Sequence, residues 1–403
     1  MSVLYRSLRR TTAWTPVLFV FVGSRVWLGM FMASRYAQWM YSWETRLTSV
    51  DSNRVIRPLE WGVEWARDWP CRNGFAPGYL PTDCESFLRD YNRRIVSDSD
   101  EFYAYRRPTD FRLERREIQV FSTRAVPDPR LEKKVRGSYG DFLRFTSPVR
   151  TPFAENNLVS ARWFPARGKR ALVLLPHWNS DALAYTSLCR VLNLLGISVL
   201  RLSLPYHEIR MPAETPRADY AVSANISRTL DACRQGVLDV RCCLDWLESE
   251  GYRSLGIVGT SLGSCYAFLA AAHDPRIRVI AFNHISTYFA DVVWYGQSTR
   301  HIRQGLEPQI DLERLRALWS AISPMSYFEQ FARWPRRSLL IYAKYDMTFL
   351  PELSRAVVEE FVRYRLHHQA VALPCGHYTT GETPFKYIDG WTIAAFLRTA
   401  FES

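Results

Sequence analysis

The segment of this sequence best suited to chemistry is Gly259-Thr260-Ser261-Leu262-Gly263. A serine hydroxyl is a weak nucleophile until a base takes its proton. Small residues on either side let the backbone turn tightly enough to push the hydroxyl clear of the chain. The run Leu255-Gly256-Ile257-Val258 reads as a strand entering this turn, and Ser264 to Ala272 reads as a helix leaving it. The hydroxyl then stands at a helix N-terminus, where the dipole favours developing negative charge. The plain alternative is that Ser261 only caps the helix.

A strand, a G-x-S-x-G turn and a helix in this order resemble the α/β-hydrolase superfamily of serine esterases, lipases and related hydrolases. The resemblance covers about residues 140–403. It implies a triad in the chain order serine, acid, histidine. Asp346 follows the apolar run Leu339 to Ala343, and His377 follows Val371 to Leu373 through Pro374-Cys375-Gly376. By this resemblance His377 is the general base and Asp346 orients it, with Glu352 and Asp291 as rival acids. The resemblance also implies an oxyanion site built from the Leu262 amide and an amide after Leu175. That loop reads Pro176-His177-Trp178-Asn179-Ser180, with Trp178 where many relatives carry glycine. Trp178 and Asn179 are therefore alternative donors, Asn179 being preferred, and Trp178 is expected to narrow the acyl side. His177, His207, Asn283 and His284 lie past strand ends, either lining a substrate pocket or making structural hydrogen bonds. His207 and His284 lack a third ligand at metal spacing, and no metal or cofactor is expected.

These residues need a frame that carries them to one edge. From about residue 140 the sequence alternates apolar runs with helical patterns. Asp141–Val149 and Leu158–Phe164 read as antiparallel strands. Ala171–Leu175, Ile197–Leu202, Leu255–Val258, Val279–Phe282, Leu339–Ala343 and Ala370–Leu373 read as further strands. The helical patterns are Ala182–Leu195, Ala221–Glu250, Ser261–Ala272 and Thr392–Phe401. The expected fold class is α/β, a mostly parallel central sheet covered by helices on both faces. Residues 136–403 form this domain, with a cap insertion at about 284–335. Its aromatics Tyr288, Phe289, Trp294, Tyr295, Trp319, Tyr327 and Phe328 divide between the cap's own core and the cleft. Residues 41–135 read as a wrapping segment without a strand series, and 1–40 as a basic, apolar extension.

Composition bounds the partners. The 403 residues carry a net charge of +12, and Arg supplies all but five of the 52 basic residues. The arginines are scattered among acids instead of forming the concentrated face that nucleic acids select, so no nucleic-acid partner is expected. Residues 11–34 offer membrane association, but the uncharged run Thr11–Ser24 is 14 residues long and Arg25 ends it. A spanning helix needs about 18 or more. A cytoplasmic location is expected, with membrane attachment or export as alternatives. Cys189, Cys233, Cys242, Cys243 and Cys265 suit buried thiols, while Cys71 and Cys84 bracket a loop and can pair under oxidising conditions. The expected function is cleavage of a carboxylic ester with an apolar acyl or aryl group, through an acyl-enzyme, on a small-molecule substrate. Peptidase, amidase and acyltransferase activities share the triad, and a silent binding protein shares the fold.

Overall fold

Alternation along one strand decides the layering. In β4 (Arg170–Leu175), Ala171, Val173 and Leu175 enter one apolar cluster, while Leu172 and Leu174 enter another. Successive side chains of a strand point to opposite faces, so this strand is covered on both. The computed structural model describes residues 33–49, 54–70, 81–120 and 133–402.

Among the described residues there is one nine-stranded sheet, ordered β1-β2-β3-β5-β4-β6-β7-β8-β9. Its other strands are β1 (Arg112–Glu117), β2 (Tyr139–Thr146), β3 (Leu158–Phe164), β5 (Ile197–Leu202), β6 (Ser254–Thr260), β7 (Ile277–Asn283), β8 (Arg337–Ala343) and β9 (His368–Leu373). Antiparallel pairing joins β1 to β2, β2 to β3 and β3 to β5. The remaining neighbours run parallel. After β4 the chain moves to one side for β5 and later returns to the other side for β6. The loops following β4 and β6 therefore part, leaving a crevice at the carboxyl ends of the strands.

Helices Ile226–Ser249 and Leu262–His273 cover one face, with every residue of the second buried. Helices Thr186–Leu194 and Phe385–Glu402 cover the other. Two expected helices begin late. Asp181 Oδ1 accepts from the amides of Leu183 and Ala184, forming a turn, and Tyr185 is left-handed before the helix starts at Thr186. The long helix starts at Ile226 because Asn225 Oδ1 caps the Arg228 amide at 2.9 Å. The described part of residues 41–135 holds one strand the sequence hid. β1 reads Arg-Leu-Glu-Arg-Arg-Glu, exposed and charged, as suits a protected sheet edge. Between β7 and β8, residues 284–335 form short helices, including Phe289–Tyr295, Arg300–Leu306, Leu312–Leu318 and Phe328–Ala332. Cys189, Cys233, Cys242, Cys243 and Cys265 are buried free thiols, whereas Cys71 lies outside the described residues. So do residues 11–32 of the proposed membrane segment, and no described helix is long and apolar enough to cross a membrane.

The loop after β5 is held by a buried ion pair. Arg210 and Asp239 are both fully buried, with Nη2 and Oδ2 2.8 Å apart. Arg210 also donates to the carbonyls of Ser203 and Asn156. Replacing Arg210 with Met strands the Asp239 charge and should cost about 3–5 kcal/mol of stability. Urea unfolding measures this loss. Arg210→Met combined with Asp239→Leu should recover most of it.

Candidate active site

Ser261 occupies the turn between β6 and the helix Leu262–His273 at φ 56° and ψ −119°, a conformation that L-residues rarely adopt. The Ser261 amide donates to the Asn283 carbonyl at 2.8 Å, pinning the turn to the end of β7. A Cβ on Gly263 would stand 2.5 Å from the Leu175 carbonyl oxygen and 2.6 Å from that of Pro176. Only glycine lets the helix start this close to the end of β4.

The Ser261 hydroxyl lies 3.0 Å from His377 Nε2. His377 Nδ1 lies 2.9 Å from Asp346 Oδ2. The other Asp346 oxygen accepts the amides of Thr348 at 2.8 Å and Phe349 at 2.7 Å. The Phe349 ring stacks on His377 with centroids 5.1 Å apart. The rival acids lie elsewhere: Asp291 pairs with Arg316, and Glu352 is exposed in the first turn of the helix Pro351–Arg363.

Asp346 serves two histidines. His284 Nδ1 stands 3.0 Å from Asp346 Oδ2, and the His284 and His377 rings are 4.6 Å apart. His284 meets the carboxylate within hydrogen-bond distance but off the ideal line, so this is the weaker arm of the fork. It is fully buried and left-handed, with its amide on Ile341 and its carbonyl taking the Ser264 hydroxyl. Burial opposes ionisation of Asp346, yet His377 and His284 together hold its pKa well below the usual carboxylate range. Burial pushes the His284 pKa down, against the pull of Asp346. Burial alone would lower His377 too, but Asp346, and then Glu44, raise it. His284, Asp346 and His377 are also the group among the described residues whose donor atoms could meet on a cation, all lying within 4.8 Å. The hydrogen-bonded fork accounts for that closeness.

Glu44 comes from a helix over residues 33–49 and escaped the sequence reading. Its buried carboxylate accepts the Tyr378 amide at 2.7 Å and the Thr379 amide at 3.0 Å, directly after His377. Nothing in a lone Glu within a Trp-rich helix points to a loop at the far end of the chain.

The loop after β4 departs from expectation at Asn179. Its amide donates to His207 Nε2 at 2.9 Å and is thereby committed within the protein. His207 Nδ1 faces the Pro205 carbonyl at 2.8 Å, so both ring nitrogens are occupied. Burial drops the His207 pKa to about 3, which keeps the acceptor nitrogen free of a proton. His207 thus braces the loop and does not line the cavity. The Asn179 side chain takes the Ala218 amide while the Trp178 indole donates to the Ala218 carbonyl, clamping both residues. Among the described residues the Trp178 and Leu262 amides have no partner.

A cavity of about 850 Å³ contains Ser261. Its apolar lining includes Val222, Cys265, Phe289 and Val293 beside the cap, and Leu183 and Leu188 beside Tyr185. Phe289 is the one aromatic of the seven singled out in the cap that reaches it. The rest fill the cap's core or its surface; Trp319, for example, is buried with its indole on the Ile226 carbonyl. The polar lining includes His177, Tyr185, Thr260, Asn283 and Asp389, together with Ser298 and Thr299 of the cap. His177 Nδ1 meets the Tyr185 hydroxyl at 2.8 Å, and burial lowers its pKa to about 4. Asn283 Nδ2 donates to Asp389 Oδ2 at 2.9 Å.

No protein-family model and no curated protein matches this chain. Solved structures do. The acetyl xylan esterase 1 of Thermoanaerobacterium sp. is 14% identical with a TM-score of 0.52, over 80% of this chain and 99% of that one. The Pyrococcus horikoshii acylaminoacyl peptidase is 10% identical with a TM-score of 0.51, over 65% of this chain. The match spans 41% of the peptidase's own length. Identities this low speak to architecture alone, and the chain is built on the α/β-hydrolase fold.

Proposed function

We propose that this chain is a serine hydrolase that cleaves a carboxylic ester through an acyl-enzyme. The observation that carries this reading is the hydrogen-bonded line from Ser261 through His377 to Asp346. His377 Nε2 takes the Ser261 proton as the hydroxyl oxygen attacks the ester carbonyl carbon. The negative oxygen of the tetrahedral intermediate receives the Leu262 and Trp178 amides, Asn179 being engaged with His207. Collapse breaks the bond to the alcohol, which leaves with the proton carried by His377. Water then repeats the sequence on the acyl-serine and frees the acid. Asp346 stabilises the imidazolium that forms in each half. The esterase and peptidase folds noted above both suit acyl transfer to serine. The apolar lining favours an acyl chain over a sugar or a free acid.

Ser261→Ala should abolish hydrolysis of p-nitrophenyl esters and labelling by a fluorophosphonate probe, with circular dichroism unchanged. Retained turnover would remove the assignment. Asp346→Asn should lose roughly 10⁴-fold in kcat. Binding should tighten from acetyl to butyryl or hexanoyl esters, since each buried methylene gains about 0.8 kcal/mol. Trp178 lines the cavity and is fixed by Ala218 and by stacking on His301. Trp178→Ala should move the chain-length optimum upward, read as kcat/KM across the series.

His377 acts as a base only when neutral, and its pKa lies above the ordinary 6.5. Activity should therefore rise with pH through an apparent pKa above that value. Glu44 adds negative charge beside His377, so Glu44→Gln should shift the acid limb to lower pH. His284 competes for the Asp346 oxygen, so His284→Phe should shift it to higher pH. Shifts of about half a pH unit in opposite directions are expected. Two variants that lose rate without moving the limb would show that both residues are only structural.

A further inference from the structure

The cavity wall contains a carboxylate that has no cation paired with it among the described residues. Asp389 is 8% exposed and lines the cavity that holds Ser261. Its Oδ2 accepts from Asn283 Nδ2, and its Oδ1 has no hydrogen-bond partner among the described residues. Asn283 Oδ1 is likewise buried and unpartnered. Buried polar atoms in native proteins are nearly always satisfied, and an unpaired buried carboxylate is especially costly. Two unsatisfied acceptors therefore lie together, one of them on the residue that anchors the nucleophile, since the Asn283 carbonyl holds the Ser261 amide.

Beyond the triad, the charged side chains on the cavity wall are Asp181, Glu382 and Asp389 against Lys386. Asp181 Oδ1 is occupied by two backbone amides, and Glu382 and Lys386 are exposed. Asp389 is thus the buried charge with capacity to spare. Burial raises its pKa to about 7, and the Asn283 hydrogen bond only partly opposes this. A carboxylate so poorly solvated gains more from a neighbouring cation than an exposed one does.

We infer that Asp389, with Asn283, forms a subsite for a protonated amine on the alcohol side of the substrate. This rests on the ester-hydrolase reading and adds a substrate class to it, the aminoalkyl ester. An ammonium group at the cavity wall supplies the opposite charge that Asp389 lacks, whereas an acyl chain cannot. In this reading the acyl group packs on apolar residues of the wall such as Val292 and Val293, while the amine meets Asp389. An N–H donated to a carboxylate is worth about 1.5–3 kcal/mol, which is tenfold or more in kcat/KM.

The test compares 2-(dimethylamino)ethyl butyrate with its neutral isostere 3-methylbutyl butyrate at pH 8, following acid release. The cationic ester should be preferred by about tenfold or more, and Asp389→Asn should bring the ratio near one. The ratio is internal to each variant, so a general loss of rate in Asp389→Asn does not obscure it. A ratio at or below one in the wild type, or an equal preference in Asp389→Asn, overturns the subsite. If neither ester is cleaved and Ser261 takes no fluorophosphonate, the hydrolase reading fails. The subsite is then decided by calorimetry, with 2-(dimethylamino)ethanol against 3-methylbutanol. Tighter binding of the amine that disappears in Asp389→Asn supports it, and equal binding overturns it.

Discussion

The approach of Gly263 to the end of β4 is the constraint from which the site follows. With a Cβ 2.5 Å from the Leu175 oxygen, any other residue would push the helix Leu262–His273 off the sheet. That contact brings the start of the helix beside the loop carrying Trp178. It also holds Ser261 in its left-handed conformation, because the amide on one side of the turn is tied to β7 and the helix on the other side cannot retreat. The crevice between the β4 and β6 loops is where the sheet's winding reverses, so the fold and the chemistry meet at one place.

Around this point the polar groups are braced from outside. Asp346 receives two amides on one oxygen and two imidazoles near the other, so its orientation is over-determined. The loop after β4 is braced by His207, which stands on a loop anchored by the buried pair Arg210–Asp239. Interactions with no contact to a reacting atom thus set the position of those that have one.

Much of this was legible in the sequence. β5 matches its expected bounds, and the apolar runs gave the other parallel strands, because strands buried on both faces carry unbroken apolar residues. Ser261, Asp346 and His377 were legible through motif and chain order, and the fold does bring the three together. What stayed hidden has a physical cause in each case. β1 is an edge strand whose charged residues carry no apolar alternation. The preference for the Asn179 amide failed because its partner, His207, lies 28 residues away. Glu44 and Asp389 matter through packing between elements remote in the chain, which no local pattern encodes. His284 was visible as a residue past a strand end, but its place on Asp346 depends on how β7 and β8 align.

The carboxylate of Glu44 closes on amides 334 and 335 residues further along the chain. Such a contact closes a very long loop, and closing so long a loop is entropically slow. On the ribosome, the strands up to β8 can assemble while the loop bearing His377 is still inside the exit tunnel. The Ser261 turn is then in place before His377 arrives. A nascent chain that has begun to fold holds Ser261 without its imidazole partner, and the hydrogen-bonded line to Asp346 closes as the Glu44 contact forms.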